Sequence, residues 1–432
     1  MNGSKIQEKI MPVVNAISNN KYLKSVSDGI ASTLPAIILG AILTLIASLP
    51  IGPYQEFMIN SGLKEILMLP VKFTTDLLAL YSVFFIASKT AENFDADGPT
   101  AGLLALVSFF VVTPLEAMEA GSFISFNWLG SKGLFVAIII GLIVGRIYSL
   151  IIKKGIIIKM PEGVPPTISK SFAGLVPAFI IVPIFMITNT VFQNTDFGSL
   201  HGLIYKFVQT PLEGLGGTFG ALLIVMTLAH VLWLFGIHGT MVVFSIMSPI
   251  YTSLNLQNLE AFSNGEPLPN IICSAFLMTY IIFSGSGSTM GLNLYMSFKA
   301  KSKRYKTLGA LALPGSCCGI NEPLIFGTPC VMNVKLAIPF IMAPIASTTI
   351  AYFATAMGIV PKLMGASLPL GTPVLVSGFL QGSWRIAALQ VVLVAVSFII
   401  YLPFIKLLDN EAYAMEQQDS EDDVDFSDVV SD

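Results

Sequence analysis

Charged residues are scarce in this sequence. Asp, Glu, Lys and Arg make up 11% of its 432 residues, while 54% are hydrophobic. An ordinary soluble domain carries about 25% charged residues, and a single soluble core stops growing at roughly 250–300 residues. The composition therefore excludes an ordinary soluble globular protein and indicates one that buries apolar surface in lipid.

Cysteine and catalytic motifs are scarce as well. The four cysteines, Cys273, Cys317, Cys318 and Cys330, form no CxxC pair, so neither a metal site nor a redox pair is expected. The sequence has no P-loop, HExxH or GxSxG motif in a soluble fold. We therefore expect no cofactor and no nucleic-acid partner. We also expect no cleavable signal peptide, because the first long apolar stretch begins only near Gly29.

Long uncharged stretches predict an all-α polytopic membrane protein with about ten transmembrane helices, since a crossing helix needs about 20 mainly apolar residues. In one of them, Gly141 and Gly145 have the spacing that lets two helices approach closely. The clearest predicted spans are Gly29–Leu49, a segment ending near Ser88, Thr100–Thr113, Gly133–Ile152, a segment between Lys170 and Asp196, Leu336–Val360 and Ile386–Ile405.

Basic residues cluster at three places, which are Lys5–Lys24, Arg146–Lys170 and Lys299–Lys306. Because cytoplasmic loops retain Lys and Arg, this pattern predicts cytoplasmic N- and C-termini. Ten of the 26 acidic residues lie in residues 409–432, which contain no Lys or Arg. Such a tail is expected to be disordered and solvated.

The second half of the chain is apolar but interrupted. Residues 214–259 contain no Asp, Glu, Lys or Arg, yet they are too many for one span and include Gly236 and Pro249; a Ser/Gly repeat follows at residues 284–288. Non-helical backbone at bilayer depth is tolerated only where protein or a water-filled cavity covers it. Because broken segments mark ligand sites in transporters, we expect one or two re-entrant hairpins that form the solute site.

Two of these breaks carry candidate site residues. His238, between glycines in an uncharged stretch, is interpreted as a ligand-site residue; the alternative is a neutral histidine hydrogen-bonded within the helix bundle. Glu322 lies between Asn321 and Pro323. A carboxylate at membrane depth is costly and indicates a functional site, whereas a loop tip at the membrane surface would give it no such role.

Tryptophan occurs at three positions only, Trp128, Trp233 and Trp384. Sugars present C–H faces that stack on aromatic rings, so Trp233 and Trp384 are candidate substrate-binding residues. The alternative for both is a place in the interfacial aromatic belt, which is the favoured interpretation for Trp128.

At these residues the sequence resembles the membrane permease (IIC) component of the phosphoenolpyruvate-dependent sugar phosphotransferase system, in its lactose/cellobiose branch. Three segments carry the resemblance: Trp233–Gly239, which reads W-L-F-G-I-H-G; Gly319–Pro329, which contains I-N-E-P; and Met160–Pro166 followed by Lys170-Ser-Phe. The resemblance covers about residues 5 to 408.

The resemblance implies a homodimer in the bacterial cell membrane with ten transmembrane helices per subunit. Glu322 would bind the sugar hydroxyl that becomes phosphorylated, and His238 would assist binding or phosphoryl transfer; these are the candidate catalytic residues. Asn321 and Trp233 would contact the sugar. The phosphoryl donor would be a separate IIB protein, supplied in turn by IIA, because no such domain is evident in this chain.

This interpretation predicts four regions. Residues 1–196 form the scaffold and dimer interface, residues 197–213 an interfacial amphipathic helix, residues 214–408 the sugar-binding transport domain with its re-entrant hairpins, and residues 409–432 the disordered tail. In the amphipathic helix, an apolar face of Leu200, Leu203, Ile204, Phe207 and Val208 opposes a polar face of His201, Tyr205, Lys206 and Gln209.

The predicted function is translocation of a β-linked disaccharide or β-glucoside of the cellobiose, diacetylchitobiose or lactose type, by a rigid-body carrier movement, for phosphorylation by the IIB partner. The alternative is a proton-coupled secondary sugar transporter in which Glu322 carries the proton. An intramembrane enzyme or a channel is disfavoured, because no nucleophile pair or selectivity motif is recognisable.

Overall fold

The computed structural model describes residues 19–48, 52–118, 121–161, 163–328 and 334–429, together with Pro12, Ala16 and Cys330. The protein is mostly helical, as predicted. It divides into two compact units. The first contains residues up to 218, residues 244–274 and residues 364–367, and the second contains residues 219–243, residues 275–363 and residues from 368 onward.

The first unit is a helical assembly with one short β-hairpin. Its helices are α1 (Lys21–Ala31), α2 (Leu34–Ser48), α3 (Gly52–Asn60), α4 (Leu63–Lys72), α5 (Leu78–Asn93), α6 (Gly98–Val112), α7 (Leu134–Lys153), α8 (Pro166–Ala173), α9 (Leu175–Gln193), α10 (Leu200–Ile204) and α11 (Thr210–Gly216). The hairpin consists of the antiparallel strands β1 (Leu115–Met118) and β2 (Gly121–Ile124). Short 3₁₀ turns cover Thr75–Leu77, Phe126–Trp128 and Ser131–Gly133, and a π-helical turn, Tyr205–Gln209, joins α10 to α11.

Close approach of α5 and α7 forms the centre of the first unit. A Cβ atom at Gly145 would lie 2.6 Å from the Thr90 Cβ and 2.7 Å from the Ala87 backbone oxygen. A Cβ atom at Gly141 would lie 2.9 Å from the Ile86 side chain. These distances are too short for any larger residue, so the contact predicted from the glycine spacing is present.

The segment predicted as an interfacial amphipathic helix is helical, but its faces are partly reversed. His201 and Gln209, predicted on the polar outer face, are fully buried, whereas Phe207 is 57% exposed. The Gln209 side-chain amide donates hydrogen bonds to the Ser131 backbone oxygen (3.1 Å) and to Glu213 Oε1 (2.8 Å). Buried polar groups require such partners, so the Gln209 side chain faces protein, whereas Lys206 on the same predicted face is exposed.

The second unit contains a series of interrupted helices. They are α12 (Phe219–Leu234), the first residues of α13 (Gly239–Asn264), α14 (Ser274–Tyr280), α15 (Met290–Lys299), α16 (Lys303–Cys317), α17 (Glu322–Gly327), α18 (Val334–Ala356), α19 (Val376–Leu380) and α20 (Trp384–Val429). Trp233, Met296, Leu324, Phe340 and Tyr401 belong to one buried core of this unit. Most of α13 belongs to the first unit, so the units differ from the predicted domain boundary at residue 213.

The acidic tail differs from the prediction over its first part. Residues 409–429 continue α20, and Asp409 is fully buried. Its carboxylate accepts hydrogen bonds from the backbone N–H groups of Lys301 (2.9 Å) and Ser302 (3.0 Å). Glu416 accepts from the N–H of Lys303 (2.9 Å) and from the Ser302 hydroxyl (2.8 Å). The prediction of a solvated, disordered tail is therefore wrong for these two residues, because their carboxylates satisfy backbone donors at the start of α16.

Among the described residues, six helical segments are long and apolar enough to cross a membrane, and a seventh is obtained if α10, α11 and α12 form one broken span. The six segments agree with predicted spans, whereas α6 is apolar but shorter than a full crossing. The total of about ten spans stays a prediction.

Candidate functional site

The end of α12 and the start of α13 position Trp233 and His238. Gly236 adopts a left-handed conformation (φ 78°), and the N–H groups of Gly236 and Ile237 bond back to the oxygens of Trp233 (3.0 Å) and Leu232 (3.2 Å). This is how a glycine ends a helix while satisfying its last carbonyls. The chain can then begin α13 within three residues.

His238 follows this turn and is exposed, whereas Trp233 is buried beneath the His238 ring. Their ring centroids are 4.3 Å apart. The Met241 backbone N–H donates to His238 Nδ1 (3.3 Å), which leaves the proton of a neutral imidazole on Nε2. His238 therefore presents an N–H donor on its free side. A side chain at Gly239 would collide with the Ala229 backbone oxygen and Leu232.

Asn321 and Glu322 lie at the second break. After α16, Gly319 turns the chain in a left-handed conformation (φ 77°), and α17 begins with Glu322 and Pro323. Asn321 is buried, whereas the Glu322 side chain is exposed. The Asn321 amide donates to the Ser286 backbone oxygen (2.7 Å) and is thereby fixed in place.

The Ser/Gly repeat between α14 and α15 forms a buried, non-helical loop at residues 284–288. Protein groups satisfy its backbone: the Tyr401 hydroxyl donates to the Gly287 oxygen (2.8 Å), and Ser397 donates to the Ser288 oxygen. A Cβ atom at Gly285 would collide with the Asn321 amide. This is the covered, broken backbone that the sequence predicts for this half of the chain.

A chain of hydrogen bonds joins the two breaks. Trp233 Nε1 donates to Thr240 Oγ1 (3.1 Å), and the Thr240 and Ser286 hydroxyls lie 2.8 Å apart. The backbone oxygen of Ser286 accepts from Asn321, which also donates to Thr289 Oγ1 (2.6 Å). Sequence reasoning missed Thr240 and Thr289, because isolated hydroxyl residues in an apolar chain have no diagnostic spacing. It marked the Ser/Gly repeat only as a break and gave Ser286 no role.

The hydrogen-bond chain joins the two segments that carry the exposed candidates, His238 and Glu322. These segments offer a carboxylate that accepts hydrogen bonds and an imidazole N–H that donates one, and the Trp233 indole is buried under the imidazole. Such a combination suits the hydroxyl groups of a sugar. No cluster of three or more His, Cys, Asp and Glu side chains able to hold a metal occurs among the described residues.

Trp384 stands apart from this group. It is the first residue of α20, and 64% of its side chain is exposed. None of the hydrogen bonds or ring contacts described above involves it, so its role in substrate binding stays a prediction.

Comparison with known proteins places these segments in a family context. Residues 27–344 match the family model described as phosphotransferase system, EIIC. The chain is 37% identical to the lichenan permease IIC component of Bacillus subtilis (strain 168), with 94% of this chain and 93% of that protein covered. It is 36% identical to the cellobiose-specific EIIC component of Geobacillus stearothermophilus, with 96% of each covered.

A solved structure is also similar over nearly the whole chain. It is the crystal structure of the transporter ChbC, the IIC component from the N,N'-diacetylchitobiose-specific phosphotransferase system. The TM-score is 0.90 at 39% sequence identity, and the match covers 95% of this chain and 99% of that one.

Proposed function

The chain belongs to the phosphotransferase system EIIC family, and we propose that it carries a β-linked disaccharide or β-glucoside to a phosphorylating IIB protein. It is a sugar-specific permease of a phosphotransferase system in a bacterial cell membrane. The proton-coupled alternative is not favoured, because the chain matches phosphotransferase IIC components over almost the whole length of both proteins.

The observation that carries the proposal is the hydrogen-bond chain from Trp233 through Thr240 and Ser286 to Asn321, because it joins the two segments that carry the exposed His238 and Glu322. The similar proteins support the substrate class, since they are lichenan, cellobiose and diacetylchitobiose components.

Each residue has a distinct proposed role. The Glu322 carboxylate accepts a hydrogen bond from the sugar hydroxyl that receives the phosphoryl group, which holds that oxygen for attack. The His238 Nε2–H donates to a neighbouring sugar oxygen and assists transfer. Trp233, buried beneath the His238 ring, supports that ring at the edge of the sugar site, and Asn321 fixes the turn from which Glu322 projects. Trp384, exposed at the start of α20, is proposed as a further sugar contact.

The surrounding assembly follows from the family. EIIC components work with IIB and IIA proteins, and a fused example is the lactose-specific EIICB component of Staphylococcus aureus (strain N315). We propose a homodimer formed by helices of the first unit, with the second unit as the moving carrier. The positions of the basic clusters support cytoplasmic termini.

The substrate class can be tested with membranes that contain the protein, supplemented with IIA, IIB and phosphoenolpyruvate. Cellobiose, diacetylchitobiose and lactose are offered separately, with maltose, an α-linked disaccharide, as the control. The proposal predicts phosphorylation of at least one β-linked sugar and none of maltose. Equal phosphorylation of maltose would contradict the substrate class while leaving the phosphotransferase role intact.

A further inference from the structure

Helix α16 ends at two consecutive cysteines, Cys317 and Cys318. Both thiols are free and partly exposed, whereas Cys273 and Cys330 are buried, with 0% and 2% exposure. Because thiol chemistry requires access, the adjacent pair is the accessible thiol site among these four cysteines.

The backbone holds this pair on a fixed turn. The Cys318 N–H donates to the Gly315 oxygen (2.8 Å), and the Ile320 N–H donates to the same oxygen (2.9 Å). The Cys317 oxygen accepts the Val374 N–H (2.8 Å). Gly319 follows in a left-handed conformation. Together with these hydrogen bonds, it fixes the backbone around the cysteine pair.

The two thiols can act on one ligand. Neighbouring Cα atoms are about 3.8 Å apart across a trans peptide, so the two side chains can reach one bridging atom. Two adjacent sulfur donors select soft, thiophilic centres. Trivalent arsenic is such a centre, and an organic arsenoxide has two positions to exchange for sulfur.

We propose that Cys317 and Cys318 form a binding site for trivalent organoarsenicals. With phenylarsine oxide, both S–H bonds break and two As–S bonds form. The oxygen leaves with the two protons as water, and arsenic remains trivalent throughout. The reaction therefore needs no oxidant or reductant.

Occupation of this site affects the candidate sugar site through a short connection. Asn321 lies three residues after Cys318, and its amide holds the Ser286 oxygen and Thr289 Oγ1. A ring that bridges the two sulfur atoms stiffens and displaces the intervening turn. Sugar binding at Glu322 is expected to fall when the arsenical is bound.

The test uses the purified full-length protein with phenylarsine oxide, and intact-protein mass spectrometry detects the adduct. One phenylarsenic group per chain is expected, removed by 2,3-dimercaptopropanol but not by a monothiol. Cys317→Ser and Cys318→Ser should each weaken retention about 100-fold or more, because the second bond is no longer intramolecular. The double variant Cys273→Ser/Cys330→Ser, which leaves the pair intact, should behave like the wild type.

An adduct that survives in Cys317→Ser/Cys318→Ser, or that disappears in the control variant, overturns the proposal. Alanine replacements of the same pair provide a second variant if the serine form does not fold. Because mass detection requires no sugar, the arsenical site can fail or succeed independently of the proposed transport function. Loss of sugar phosphorylation on arsenical binding, absent in the double variant, adds the functional connection.

Discussion

Thr240 is the residue at which the two halves of the candidate site meet. Its hydroxyl accepts from Trp233 Nε1 and pairs with the Ser286 hydroxyl, 46 positions away. The W-L-F-G-I-H-G and I-N-E-P motifs predict Trp233, His238, Asn321 and Glu322 as site residues. The hydroxyl that connects them could not be predicted, because such a pairing depends on tertiary structure.

Replacement of Thr240 by valine removes this connection while keeping the side-chain shape. The buried indole N–H of Trp233 then lacks its partner, which costs about 1–3 kcal/mol. We expect weaker sugar binding and a lower unfolding temperature, measured by sugar titration and thermal unfolding of the detergent-solubilised protein. Thr348→Val is the matched control, since the buried Thr348 hydroxyl bonds only within its own helix, to the Pro344 oxygen (2.7 Å). Identical losses of sugar affinity in both variants would argue against the connection.

Gly145 tests the packing of α7 against α5. Its missing Cβ leaves room for Thr90 and the Ala87 oxygen, and overpacking of such a contact typically costs about 1–3 kcal/mol. Gly145→Ala is therefore expected to lower the unfolding temperature. Gly220→Ala, in α12 with open space around the added methyl group, should leave it unchanged or raise it. A lower unfolding temperature for Gly220→Ala than for Gly145→Ala would contradict the close approach of α5 and α7.

At the scale of helices, α6 begins at Gly98, two residues before the predicted span, because Asp97 caps it. Asp97 precedes it, and the Asp97 carboxylate accepts from the Thr100 N–H (3.2 Å) and hydroxyl (2.7 Å). Lys170 adds an ion pair at 2.8 Å. Burial raises the pKa of Asp97, but the hydrogen bonds from Lys170 and Thr100 outweigh it, so the pKa lies below its ordinary value of 3.8.

This lowered pKa gives Asp97 a pH-dependent contribution. Since the folded state favours the ionised carboxylate, the stabilisation is present above pH 3.8 and is lost as the pH falls through the lower folded-state pKa. Asp97→Asn keeps the cap without the charge, so its deficit in unfolding temperature should shrink as the pH is lowered toward that range. Asp97→Ala should also lose the cap, at about 1 kcal/mol. A constant deficit for Asp97→Asn at every pH would contradict this assignment.

Helix α20 shows where composition misleads. The tail is acidic and polar, which predicts disorder, yet Asp409 is buried and holds the start of α16. Such a pairing cannot be predicted from sequence, because the donors are backbone groups more than 100 residues away.

Asp409→Ala should destabilise the protein by about 1–3 kcal/mol and expose the loop at residues 299–302 to proteases.

The matched control for α20 is Glu411→Ala, which removes only a half-exposed ion pair with Lys335. Surface pairs of this kind contribute about 0–1 kcal/mol. Limited proteolysis and thermal unfolding of both variants measure the difference. Equal protease sensitivity of the two would remove the structural role assigned to Asp409.

For the whole molecule, hydropathy predicted the membrane class and the positions of long helices, since lipid demands long apolar segments. It did not predict the grouping into compact units, because most of α13 packs with the first unit although its start lies beside Trp233. It also misplaced His201 and Gln209, since amphipathicity assumes that polar faces meet water. Both errors have the same cause: the sequence does not show what an apolar or polar helix face packs against. That depends on tertiary structure.

The central claim is that this permease delivers its sugar to a phosphorylating partner through Glu322. The most direct measurement is phosphoenolpyruvate-dependent phosphorylation of labelled cellobiose by membranes supplied with IIA and IIB, in the presence of a protonophore. The wild type and the exposed control Glu266→Gln should be active, and Glu322→Gln should be about 10- to 100-fold slower, because it loses a charged hydrogen bond of about 1.5–3 kcal/mol. Full activity of Glu322→Gln, or sugar uptake that needs a proton gradient but no phosphoryl donor, would contradict the account.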